Sequence, residues 1–216
     1  MLGWWYGIQT AAGDGMLIQP ILAYGYQGDF FSIFNGVYDW NPLTRSWWTS
    51  EAGYVAPGSI VDSYVKLTTD PKTGGDAYEM FVGARGGFNV TSLRTVDPGQ
   101  ATNESWAMFV LEHQPNSCEA YPPNNAFTFE GVTLEVDGHR VEKPAWQAEQ
   151  ERPACDSEAV VVDASTISIT WDTSAKAEAS ALPAAASGSL RAADWAAQGR
   201  ESPPPPRKWL PAGTGQ

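Results

Sequence analysis

The sequence predicts an all-β protein, a sandwich of two antiparallel sheets, and three observations predict it. Short apolar or alternating runs recur along residues 1–173, separated by Gly, Pro, Asn and Asp. Aromatic residues, which suit a pleated and half-buried surface, are abundant, with Trp 10, Tyr 8 and Phe 8 among 216 residues. No segment keeps a 3.6-residue apolar period over a dozen residues, so a helical fold lacks its main signal.

The expected strands follow in order. Residues 16–24 are nearly continuous apolar sequence, interrupted by Gln19 and Pro20. Residues 30–40 open after the turn pair Gly28-Asp29. Residues 59–69 alternate, which places Val61, Val65 and Leu67 on one face. Residues 76–84 follow Thr73-Gly74-Gly75, and the runs 106–112, 126–136 and 160–171 complete the set. Asp137-Gly138 reads as a hairpin turn leading to Arg140-Val141. This spacing fits two packed antiparallel sheets. Composition changes at Ser174, after which 27 of 43 residues are Ala, Ser, Gly or Pro, including Pro203-Pro204-Pro205-Pro206. Such a segment holds too little apolar surface to offset the entropy of ordering it. The reading is therefore one domain over 1–173, followed by a flexible segment over 174–216 with polyproline II at its prolines.

Charge removes several functions. The net charge is -12, and residues 1–173 carry 8 basic against 22 acidic groups. Nucleic-acid binding needs clustered Lys and Arg to neutralise phosphates, so it is not expected. No run approaches the roughly 20 apolar residues of a membrane-spanning helix. The sequence has no phosphate-binding Gly-rich loop and no Gly-x-Ser-x-Gly elbow, and neither His113 nor His139 lies beside a candidate nucleophile. Two His and two Cys at scattered positions do not make a closed zinc site. No metal or other cofactor is expected, and the protein is expected to be a monomer.

What remains is polar residues set inside apolar strands. Gln19 interrupts Met16-Leu17-Ile18 and Pro20-Ile21-Leu22, and Glu112 ends Ala107-Met108-Phe109-Val110-Leu111. Side chains alternate between the faces of a strand. If Ile18, Leu22, Phe109 and Leu111 face the core, Gln19 and Glu112 both face away from it. Spacing alone leaves two readings open: a working pair on one outer face, or two strand residues turned to solvent. Trp47 and Trp48 are adjacent, so a strand would send one to each face, and packing is the simpler reading for both.

Four segments resemble, in order, the eqolisin-type glutamic endopeptidases. Trp5-Tyr6-Gly7-Ile8 resembles the family's Trp-Val-Gly-Ile, and Leu17-Ile18-Gln19 resembles the Ile-Leu-Gln that ends in its catalytic glutamine. Tyr38-Asp39-Trp40-Asn41-Pro42 resembles the Tyr-Glu-Trp-x-Pro of the family's substrate cleft. Thr102-Asn103 followed by Ala107-Met108-Phe109-Val110-Leu111-Glu112 resembles the strand that ends in its catalytic glutamate. The resemblance covers roughly residues 4–136, with a weaker continuation to 173.

The resemblance implies a concanavalin A/lectin-like β-sandwich and an acid-acting endopeptidase that takes protein or peptide substrates. Gln19 and Glu112 become the catalytic pair, meeting across neighbouring strands and holding one water between them. Glu112 would serve as general base and then general acid, kept ionised by a hydrogen bond from Gln19. Gln19 would orient the water and donate to the oxyanion through an amide that does not titrate. Trp5, Tyr38 and Asp39 become substrate contacts.

Several positions depart from the family. Gln9 and Ala23 stand near family Asp positions, Asp39 is one methylene shorter than the family Glu, and Met108 replaces a Glu. The chain is also expected to lack an N-terminal strand segment that precedes Trp-x-Gly-Ile in the family. Cys118 and Cys155 are expected to form one disulfide, with two buried thiols as the alternative. No secretory signal is visible, yet the sequons at Asn89 and Asn103, with the disulfide, favour an extracellular or acidic compartment. The same sandwich also carries sugar binders, so a non-catalytic carbohydrate-binding module or an inactive peptidase homologue is the competing reading.

Overall fold

The computed structural model describes residues 2–10, 15–26, 28–40, 46–95, 105–113, 118–149 and 155–175. Internal contacts separate Met1–Glu178 from Ala179–Gln216. The expected flexible segment falls outside the described residues from 176 onward, as do Asn41, Pro42, Thr102 and Asn103.

The elements in chain order are β1 (Leu2–Thr10), β2 (Met16–Tyr24), β3 (Phe31–Asp39), β4 (Ser46–Thr49), β5 (Gly53–Val55), β6 (Val61–Thr69), β7 (Asp76–Ala84), β8 (Asn89–Thr95) and β9 (Ser105–His113). A 3-10 turn at Cys118–Ala120 precedes β10 (Ala126–Phe129), β11 (Glu135–Val136), β12 (His139–Arg140), β13 (Glu158–Asp163) and β14 (Thr166–Thr170). The main sheet has the order β4-β3-β2-β1-β9, with β5 also paired to β3. Two smaller sheets run β6-β7-β8 and β10-β14-β13, and β11 pairs with β12. All pairings are antiparallel.

One face of the main sheet is the core side. Met16, Ile18 and Val37 pack on Tyr78 and Met80 of β7, and Ile33 packs with Val82 and Ala84. Asn35 crosses this layer as a buried polar tie, its Nδ2 donating to Met80 O at 3.2 Å and to Ser92 Oγ at 3.0 Å. Nearer β9, Leu2 and Trp4 of the same face pack on Tyr121 and Trp171, with Leu111, Phe127 and Phe129 around them. The second layer is thus split into two three-stranded sheets, each covering a different end of the main one. A disulfide joins Cys118 to Cys155 beside this aromatic cluster, with Cα atoms 5.4 Å apart.

The antiparallel sandwich matches the predicted class, but individual strands differ. β1, absent from the expected set, lies inside the main sheet between β2 and β9. Gly3 and Gly7 interrupt its apolar pattern, and glycine is depleted in strands, which hid it. β4 and β5 are short, and β8 is mostly polar, so neither pattern stood out. The run 160–171 is two strands, β13 and β14, folded back at Ala164-Ser165. The run 126–136 holds β10 and then β11. Leu67, near the end of β6, is 49% exposed. The Asp137-Gly138 hairpin is present, with both residues at positive φ (52° and 75°), as its turn type requires.

Candidate functional site

The other face of the main sheet carries the residues singled out by the motifs. Strand alternation and register arrange it in rows that cross the strands. Glu112 pairs with Gly3, Gly3 with Ala23 and Ala23 with Ser32. In the next row, Val110 pairs with Trp5, Trp5 with Ile21 and Ile21 with Phe34. Met108 pairs with Gly7, and Gln19 pairs with Gly36. A last row holds Trp106, Gln9, Leu17, Tyr38 and Trp47.

The β1–β2 ladder has a gap where Gln19 stands. Pairing is regular at Trp5↔Ile21 and resumes at Ile8↔Ile18, so Gly7 lies across from Gln19. Pro20, within the gap, has no N–H to give to β1. Gly7 is required there by space, since a Cβ on it would lie 2.4 Å from Ile18 O and 3.4 Å from Gln19 Cβ. Gln19 is therefore flanked by glycines on both sides, Gly7 on β1 and Gly36 on β3. It is 3% exposed, and its Oε1 is buried without a hydrogen-bond partner among the described residues. Ser32 Oγ and Trp40 Nε1 are likewise buried and unpartnered. A buried acceptor without a donor carries a desolvation cost that a bound donor would relieve.

Glu112 sits at the far end of the same face. Trp5 Nε1 donates to Glu112 Oε2 at 3.1 Å. Glu112 is exposed as a residue, while nearby protein partly desolvates its carboxyl. That desolvation raises its pKa above the ordinary carboxyl value, and the Trp5 hydrogen bond opposes the rise. The expected stabilising donor was Gln19; the donor found is Trp5, and the net shift is upward rather than toward easier ionisation.

The structure thus brings Gln19, Glu112, Trp5 and Tyr38 to one face. Asp39 does not join them: it follows Tyr38, pairs with Met16 of the core side, and alternation turns it to that side. Gln19 and Glu112 also do not lie on neighbouring strands, as expected, because β1 runs between β9 and β2. Their rows are separated by that of Trp5. On a flat sheet this offset sets the two Cα atoms roughly 16 Å apart. Trp5 is 5% exposed, and its indole N–H is engaged by Glu112.

Sequence reasoning missed the glycines at 3, 7 and 36, whose signal was their placement on one face at strand spacing. Among the described residues no cluster of His, Cys, Asp and Glu could hold a metal ion, and no helix is long and apolar enough to cross a membrane.

The chain shares its fold with a glutamic peptidase. The crystal structure of aspergilloglutamic peptidase from Aspergillus niger matches it with a TM-score of 0.51 over 79% of this chain and 98% of that one, at 17% sequence identity. No protein-family profile and no curated protein matches the sequence. Chemically, among the described residues, the face offers the Glu112 carboxyl to move a proton, the Gln19 and Gln9 amides, and aromatic walls.

Proposed function

We propose that the protein is a glutamic-type endopeptidase, with Glu112 as the proton-transfer group and Gln19 as the amide that binds the scissile carbonyl. The observation that carries this reading is the shared outer face of Gln19 and Glu112 in a sandwich that resembles a glutamic peptidase. Ionised Glu112 takes a proton from water, whose oxygen attacks the carbonyl carbon. Buried Gln19, two rows from Glu112, has to swing out toward this carbonyl for its Nε2–H to donate to the developing oxyanion, where a neutral donor keeps working in acid. Glu112 then returns the proton to the departing nitrogen, the C–N bond breaks, and an acid and an amine leave. Substrates are proteins or peptides in extended conformation, and the working compartment is acidic or extracellular.

A second reading is favoured by one specific observation. Trp5 and β1 lie between Gln19 and Glu112, which suits a peptidase-like fold that binds peptides or sugars without cleaving them. Cleavage of a denatured protein over about pH 3–7 by wild type, Glu112→Gln and Gln19→Ala separates the two. The peptidase reading expects Glu112→Gln to be inactive, and Gln19→Ala to lose about 10²–10³ in turnover. A wild-type protein that cleaves nothing supports the second reading.

A further inference from the structure

Gly36 leaves a space beside Gln19, and Trp47 fills it. A Cβ on Gly36 would lie 2.7 Å from Trp47 Cη2 and 3.0 Å from Ile21 Cδ1. Trp47 belongs to β4 and pairs with Tyr38, so its indole reaches from the row of Tyr38 over Gly36 toward the row of Gln19. Tyr38 lies 6.2 Å from Trp47 and 4.3 Å from Trp40 between ring centroids. All three rings are only partly buried, and Gly36, under the indole, pairs with Gln19, whose amide oxygen is buried without a donor among the described residues.

We infer that Trp47 is a specificity-determining residue: with Tyr38 it receives an aromatic side chain of a peptide substrate next to the scissile bond. The inference rests on the peptidase reading and adds the substrate class to it. An aromatic side chain gains ring contacts and loses little on leaving water. A charged one gives up its hydration here, because the wall is made of rings and Asp39 points to the opposite face. Gly36 is the enabling residue, since any side chain there pushes the indole off its seat.

The test uses a set of unstructured peptides that differ only in the residues flanking one cleavable bond, with products read by mass spectrometry. Wild type is expected to cleave beside Phe or Tyr with a kcat/KM at least about tenfold above that for Ala, Asp or Lys. Trp47→Ala lowers the value for Phe and Tyr peptides about tenfold and leaves the Ala peptide within about twofold. Trp47→Phe keeps the aromatic preference. Gly36→Ala, which displaces the indole without removing it, reproduces the loss and stands in should Trp47→Ala not fold. An active protein whose preference is the same in wild type, Trp47→Ala and Gly36→Ala overturns the role of Trp47 and leaves the peptidase reading intact. A folded wild type that cleaves none of the peptides overturns both.

Discussion

The indole N–H of Trp5 holds the carboxyl of Glu112 at 3.1 Å, joining β1 to β9 across 107 residues of sequence. The contact is diagonal, because Trp5 pairs with Val110 and Glu112 pairs with Gly3. Two opposing effects meet at that carboxyl. Desolvation favours the neutral acid and is the larger, while the indole donor favours the carboxylate.

Trp5→Phe removes the donor and keeps most of the ring. Glu112 then loses the hydrogen bond that lowers its pKa. The acid limb of the pH–rate profile is expected to move to higher pH, since the base must be ionised to act. An acid limb that stays in place would separate Glu112 from the rate. Unfolding in urea should show a loss of about 1–3 kcal/mol from the broken charge-assisted bond.

The raised pKa also fixes a sign for stability against pH. Folding favours protonated Glu112, so its contribution is fully present below the unfolded-state pKa and is lost as pH rises through the folded-state pKa. Asp62, Asp70, Asp163 and Asp172 are lowered and act in the opposite sense. Asp62 is drawn down by the Arg85 guanidinium, and the others mainly by hydrogen bonds from nearby backbone and hydroxyl groups. Comparing Glu112→Gln with wild type cancels those four. The variant should gain stability relative to wild type as pH rises from the ordinary carboxyl range, measured by urea unfolding at a series of pH values. A constant difference at all pH values would contradict the shift.

Gly7→Ala places a methyl group 2.4 Å from Ile18 O. The backbone of β1 or β2 must move, at a cost of about 1–3 kcal/mol typical of overpacking. Because the displaced strand carries Gln19, turnover should fall along with stability. Gly25→Ala is a contrasting control: its φ of 74° is unfavourable for alanine, yet nothing lies within 4 Å. It should lose stability with little change in turnover.

Removal of the Cys118–Cys155 disulfide opens a loop with a sequence separation of 37. Chain entropy predicts a loss of about 3–4 kcal/mol for the double Ser variant. Non-reducing mass mapping of the wild type should recover the linked peptides, and urea unfolding of the variant should show the loss. Equal stability would mean that the bridge constrains little.

Some of this molecule was legible in its sequence for a simple reason. Strand side chains alternate, so the shared face of Gln19 and Glu112 followed from Ile18, Leu22, Phe109 and Leu111 being core residues. The Asp137-Gly138 hairpin was legible because the turn demands positive φ. The position of β1 was not: Gly3 and Gly7 weaken its strand signal, and Gly7 is there because a side chain would collide with β2 beside Gln19. Without β1 in place, the partners of Glu112 were unreadable, and Gln19 was named where Trp5 belongs. Asp39 was grouped with Tyr38 from a motif, whereas alternation puts neighbours on opposite faces.

Proteolysis of a denatured protein at a series of values over about pH 3–7, comparing purified wild type with Glu112→Gln of equal folded stability, tests the central claim most directly. The account predicts cleavage by the first and none by the second. Cleavage by both, or by neither, would contradict it.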